Sequence, residues 1–165
     1  MSWSRRGLLL ALPAAAALAG CGFTPAFAPG GAGAALFAAT AYEVPATPEG
    51  YRLRARLQER LGLADSPRYR LTVTLALTPR EAALSPGGDV VRRALRGEAD
   101  WALTDASGES LGGGTVSTFT SWPSSGSTIA VRTAEEDARA RLSRQLADLI
   151  VTEAIALPGL GPEGA

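Results

Sequence analysis

The sequence predicts an α+β domain: a two-layer sandwich in which two helices pack on one face of a four-stranded, mostly antiparallel sheet. Three observations carry this. Two stretches repeat leucine at helical spacing behind N-cap signals, and two others alternate apolar and polar residues strictly. Turn residues separate them in the order strand, helix, strand, strand, strand, helix. Amphipathic helices and one-sided strands need a common core, and layering them on each other is the economical way to make one.

Leu36 to Val44 is compatible with a first strand, although its alanines weaken the pattern. Thr47-Pro48-Glu49 then supplies an N-cap, a proline at the first helical position and an acid in the first turn. Leu53, Leu57 and Leu61 follow at i, i+4 and i+8, and Gly62 stands where a C-terminal cap belongs, so a helix over 48–61 is predicted. Its outer faces carry Arg52, Arg54, Arg56 and Arg60, either a solvated face or one that meets acidic headgroups.

Tyr69 to Thr78 reads as the second strand. Tyr69, Leu71, Val73, Leu75 and Leu77 form one face, and Arg70, Thr72, Thr74, Ala76 and Thr78 the other. The apolar side meets a core; the polar side, with Thr72 and Thr74 at its centre, is left for solvent or a partner. Pro79 to Asp89 is predicted as a connection turning at Pro86-Gly87-Gly88-Asp89.

The third strand runs from Val90 to Thr104, with Leu95, Gly97, Ala99, Trp101 and Leu103 inward. Asp105-Ala106-Ser107-Gly108 makes a turn to a fourth strand, Leu111 to Thr120. Gly112, Gly113 and Gly114 point to a bulge there, or to close approach of something from outside. Ser121 to Thr128 is predicted as a polar loop whose Trp122 is either a partner anchor or folded back on the core. Thr133 then caps the second helix, with Glu136 completing a capping box. Ala138, Leu142, Leu146, Leu149, Ile150 and Ala154 make its apolar stripe before Pro158.

Ahead of this domain lies a targeting segment. Arg5 and Arg6 form a basic start, and Gly7 to Leu18 an apolar run too short for a permanent span. Ala17-Leu18-Ala19 is a poor secretory cleavage site, whereas Leu18-Ala19-Gly20-Cys21 fits bacterial lipoprotein processing at all four positions. Cys21, the only cysteine, is then residue one of the mature chain and carries lipid. Ser4-Arg5-Arg6-Gly7-Leu8-Leu9 also resembles a twin-arginine export signal. A single acyl chain contributes about 0.8 kcal/mol per buried methylene and holds only marginally, so stable anchoring takes two or more. The predicted organisation is a signal over 1–20, a lipidated tether over 21–34 with Phe23 and Phe27 as its aromatics, one domain over 35–157, and a loose tail over 158–165.

Composition narrows the chemistry. All 16 basic residues are arginine and balance 16 acids, with no histidine. Two of the arginines leave with the signal, so the mature chain is slightly acidic and offers no global field for nucleic acid. Without histidine, and with its cysteine lipidated, the chain has no conventional zinc or redox-metal site, no Ser-His-Asp triad and no Cys-His dyad. No cofactor and no catalytic residue is assigned. Glu98 and Asp100 share a strand face and are the residues on which a carboxylate-based wall hydrolase would rely; exposed strand acids are the plainer reading. Arg92, Arg93 and Arg96, at the start of the third strand, are candidates for binding phosphates, since guanidinium forks pair with phosphate bidentately; the alternative is solvated or salt-bridged strand arginines.

Several signatures occur in one order: the Cys21 lipobox followed by Gly22-Phe23-Thr24-Pro25, the Arg60-Leu61-Gly62 helix end, the Tyr69-Arg70-Leu71 strand, the Trp101 hairpin, and a Ser/Thr loop leading into Ala134-Glu135-Glu136-Asp137-Ala138-Arg139. Together they resemble the LPS-assembly lipoprotein family LptE in an alphaproteobacterial-type form. The resemblance implies a lipoprotein anchored at the periplasmic face of the outer membrane. It implies insertion into the LptD β-barrel, help in assembling that barrel, and contact with LPS in transit. Gly22 after the cysteine agrees with outer-membrane sorting of the enteric type. A ligand-binding or adaptor lipoprotein of an envelope ABC transporter has a similar size, anchor and α+β content and is the alternative.

Overall fold

A computed structural model describes residues 25–160. They form helix α1 (Ala32–Leu36), strand β1 (Thr40–Glu43), helix α2 (Pro48–Leu61), strands β2 (Tyr69–Leu84), β3 (Val90–Asp105) and β4 (Ser110–Pro123), and helix α3 (Thr128–Ala154). The sheet has the order β1-β2-β3-β4; β1 pairs with β2 in parallel and the other neighbours are antiparallel. The predicted fold class is therefore the observed one, with α1 added.

Local chemistry sets the boundaries of α2. The Thr47 hydroxyl accepts from the Gly50 amide at 3.1 Å, and Gly62 ends the helix with φ +77. A side chain at Gly62 would be both strained and pressed against the Ala38 amide, 3.1 Å from its Cβ. Leu53, Leu57 and Leu61 are buried, as their spacing predicts.

The sheet departs from prediction where tertiary pairing overrides local signals. The predicted 79–89 connection is mostly strand: β2 continues through Pro79, which stands opposite Leu95, and the chain turns only at Ser85–Asp89. Proline is tolerated because β1 pairs with β2 over Tyr69–Thr72 alone, leaving the β1 side of β2 an open edge from Val73 onward. β1 itself is shorter than the predicted 36–44, since Leu36 ends α1 as a buried residue and 37–39 turn before Thr40.

The second long helix starts six residues earlier than predicted. Ser127, not Thr133, caps α3 by accepting from the Ala130 amide at 3.3 Å. Glu135 and Asp137 consequently sit inside the helix and pair one turn on with Arg139 and Arg141. The buried stripe is Ala138, Leu142, Leu146, Ala147, Ile150, Val151 and Ala154, while Leu149 stays 39% exposed.

The core lies between the sheet and the two long helices. α3 lies on β3 and β4, and α2 packs beside α3. Gly97 lets α3 come close, because a Cβ there would stand 3.0 Å from both Leu142 and Leu146. Three ion pairs join the helices: Arg139 reaches Glu49 at 3.2 Å, Arg56 grips Asp148 with two hydrogen bonds, and Arg60 approaches the same carboxylate at 3.9 Å. The order of those partners along the two helices shows that α2 and α3 run in the same direction. The approach at the β4 glycines comes from the chain's own C-terminal segment. Leu157 covers Gly112, where φ is +155, and Gly114 faces the Trp101 indole and Glu153, which hydrogen-bond at 3.0 Å. A bulge accompanies them between Leu103 and Thr104.

Of the stretch predicted as a tether, 25–34 is folded: Ala28, Gly31 and Gly33 donate to Pro25, Ala28 and Ala26, and α1 follows. Of the predicted tail, Leu160 joins the core at 5% exposure. The signal over 1–20, Cys21, Phe23 and residues 161–165 lie outside the described residues.

Candidate functional site

Among the described residues, helices cover one face of the sheet and leave the other bare, a surface open to a partner. Strand alternation decides what it displays. Thr72, Thr74, Ala76 and Thr78 of β2 stand opposite Ala102, Asp100, Glu98 and Arg96 of β3. The same β3 residues stand opposite Gly113, Thr115, Ser117 and Phe119 of β4. The result is a plane of hydroxyls crossed by charges of both signs.

Hydrogen bonds hold these groups in place. Arg70 pairs with Glu43, which also accepts from the Thr72 hydroxyl at 3.3 Å. The Thr115 hydroxyl donates to Asp100 at 2.5 Å, and Arg96 reaches Glu98 at 3.3 Å. Arg92 donates through Nε to the Ser121 hydroxyl at 3.0 Å. Exposed pairs of this kind contribute about 0–1 kcal/mol each. Their effect is to present an ordered array of polar groups. Glu98 and Asp100, the candidate acid pair, are thus engaged by different partners, an arginine and a hydroxyl.

Phe119 breaks the polarity. It is 72% exposed in the middle of β4, opposite Arg96, beside a shallow hollow of about 310 Å³ lined by Arg80, Ala94, Arg96, Ser117, Thr118 and Phe119. Neither Phe119 nor Arg80 is among the residues that the sequence singles out as candidates. The signal for Phe119 was present: Val116, Thr120 and Trp122 are the buried residues of β4, and alternation puts Phe119 on the opposite side.

Of the predicted site residues, Thr72 and Thr74 lie on the bare face and are exposed. The three arginines do not form one cluster. Arg92 and Arg96 point to the bare face, whereas Arg93, one residue along from Arg92, points to the helix side opposite Glu81 and Trp122. Trp122 is not an exposed anchor: it is 4% exposed and belongs to the core, the folded-back alternative. β4 runs through it to Pro123, so the predicted loop begins only at Ser124. Cys21 lies outside the described residues.

Arg93 and Trp122 instead line a cleft of about 450 Å³ between the β2–β3 arm and α3, closed by Pro79, Glu81, Glu135 and Arg139. Burial pulls the Arg139 guanidinium down, but hydrogen bonds to Glu135 and Glu49 outweigh it and hold the group above its ordinary value. Its charge is thereby committed to two carboxylates of the fold. Among the described residues no group of three or more Cys, His, Asp or Glu is placed to hold a metal. No helix among them is long and apolar enough to cross a membrane.

Three solved structures described as lipoproteins share this architecture. The solved structure of a lipoprotein from Caulobacter crescentus superposes with a TM-score of 0.62 at 23% identity, covering 76% of this chain and 93% of that one. The rare lipoprotein B of Shewanella oneidensis gives 0.55 at 15% identity, with 72% and 92% covered. Lipoprotein B of Nitrosomonas europaea gives 0.55 at 16% identity, with 72% and 83% covered. At these identities the likeness is one of fold. A comparison with curated proteins gives no match. The sequence model of the family described as LptE, lipopolysaccharide-assembly, matches residues 39–154, from just before β1 to the end of α3. With the match spanning the whole sheet and both long helices, this chain belongs to the LptE family of lipopolysaccharide-assembly proteins.

Proposed function

We propose that this chain is an outer-membrane lipoprotein, anchored at the periplasmic face through Cys21, that occupies the lumen of the LptD β-barrel. In that position it assists the barrel's assembly and takes part in LPS transport to the outer leaflet. It works as a structural partner and carries out no catalysis.

The observation that carries the reading is the bare sheet face. A plug in a water-filled barrel meets a wall of polar side chains, and a fixed array of hydroxyls and mixed charges suits it better than an apolar patch. Family membership supports the lipopolysaccharide role. Arg92 and Arg96 on that face, with Arg80 beside them, are the guanidinium groups offered to LPS phosphates. Thr72 and Thr74 are the contacts offered to the barrel.

The test is photocrosslinking in intact envelopes from Thr74 and Phe119. An adduct with a large β-barrel protein is the expected outcome. Adducts with a transporter ATPase complex, or both positions fully open to a soluble carbene reagent within the intact envelope complex, would refute the plug reading. For the phosphate contact, an Arg92→Ala/Arg96→Ala variant that binds LPS as well as the parent removes that part.

A further inference from the structure

The N-terminal end of the domain carries its own apolar surface. Phe27 is 46% exposed, Phe37 54% and Leu63 68%. They belong to segments in direct contact. The Phe27 ring lies against Gly33, where a Cβ would meet it at 2.9 Å, and the Phe37 amide donates to the Gly33 carbonyl at 3.0 Å. Ala38, next in line, donates to Leu61 at 2.7 Å and packs on Gly62, the residue before Leu63. Arg68 joins the group: its Nη2 donates to the Ala35 carbonyl at 3.3 Å, and its guanidinium lies 5.5 Å from the Tyr69 ring centre. Arg68 makes no ion pair among the described residues, and Asp65 is the acid of the same connection.

Chain length says what lies opposite. Cys21 precedes Pro25 by four residues, which span at most about 14 Å when fully extended. Pro25 opens the turn closed by the Ala28 amide, and Phe27 lies inside that turn. A lipid on Cys21 therefore leaves this end of the domain no room to stand away from the leaflet. Large apolar side chains beside a guanidinium that pairs with no carboxylate among the described residues are the composition that settles at a headgroup boundary.

We infer that Phe27, Phe37 and Leu63, with Arg68, form a membrane-docking surface that seats this end of the domain on the lipid headgroups beside the anchor. The inference rests on the reading of Cys21 as the lipidated residue. The docked end fixes the orientation of the domain: α3 runs from the opposite end, where Ile129 is 80% exposed, back toward the leaflet.

The experiment uses the mature lipidated protein in vesicles of phosphatidylethanolamine and phosphatidylglycerol. An acylated Cys21 has no free thiol, so Phe27→Cys, Phe37→Cys, Leu63→Cys and, as control, Ile129→Cys each give one labelling site for an environment-sensitive fluorophore. All four positions are exposed enough to carry a label without disturbing the core. Lipids bearing a nitroxide at headgroup depth are expected to quench the labels at 27, 37 and 63 several-fold more strongly than at 129. Mass spectrometry of the N-terminal peptide reports the anchor separately. Acylated Cys21 with equal quenching at all four positions overturns the docking surface and leaves the anchor standing. Unmodified Cys21 overturns the inference at its premise. Shielding of 37 and 63 that arises only when a β-barrel partner is present, with no quenching by lipid, assigns the patch to the barrel rim and overturns it as well.

Discussion

Replacing Phe119 separates a side chain kept for a partner from one kept for the fold. Phe119 is 72% exposed, so about a quarter of its surface is already covered. Full burial of a phenylalanine contributes about 1.5–3 kcal/mol, which leaves about 1–2 kcal/mol to be realised against a partner. At 1.4 kcal/mol per decade that is about a 5- to 30-fold loss of affinity on Phe119→Ala. In the isolated domain the substitution removes only a cross-strand contact with Arg96 and some strand preference, a loss of about 0.5–1 kcal/mol. The assays are urea unfolding of the purified domain and titration against the detergent-solubilised barrel partner. Unchanged affinity would refute the reasoning. So would a fall in stability of about 2 kcal/mol or more, the size of a core deletion.

Tyr42 gives a pH prediction. Burial pushes its phenol up to about 12, and its hydroxyl donates to the Gly62 carbonyl at 2.9 Å. The folded state holds the proton more tightly than the unfolded chain, so the contribution is fully present below about pH 10, where a free tyrosine titrates, and is lost as pH rises through about 12. Tyr42→Phe should flatten this alkaline decline in unfolding free energy and cost about 1 kcal/mol at neutral pH; a decline of unchanged steepness would refute it. Gly97→Val should destabilise by about 1–3 kcal/mol through overpacking against Leu142 and Leu146. Urea titration of the Gly97→Val/Leu142→Ala double variant should show less than the sum of the single losses. Arg139→Ala strips Glu49, whose side chain is 13% exposed, of its ion-pair partner and should cost about 1–3 kcal/mol in thermal or urea unfolding. Adding Glu49→Ala should cost little more, and full additivity would show that the pair is not coupled.

Elements whose residues satisfy their own local requirements were legible without a structure. Thr47, Pro48, Leu53, Leu57, Leu61 and Gly62 supply cap, spacing and stop within one segment, and α2 has the bounds they predict. The alternation of Tyr69 to Thr78 and of Leu95 to Leu103 set the two faces of the central strands for the same reason. Three readings went otherwise because the deciding partner is remote in sequence. Pro79 reads as a strand breaker, and only the short β1 reveals that it sits on an open edge. Thr133 and Ser127 offer the same capping chemistry, and Trp122 buried in the core draws β4 on toward the earlier helix start. The three glycines announce close approach, but Leu157 and Glu153, some forty residues later, are what approaches.

The candidate site divides along the same line. The sequence by itself determined the composition of the bare sheet face, because strand period is a property of the backbone and needs no neighbour. It also determined the family, through signatures that lie in order along one chain. Only the tertiary structure decided which side each flanking residue joined. It carried β2 past Pro79, took Trp122 into the core and gathered Phe27, Phe37 and Leu63 at one end. The physical reason is that burial is settled by what covers a surface, and the covering elements, α3 above all, come from parts of the chain that no local window contains.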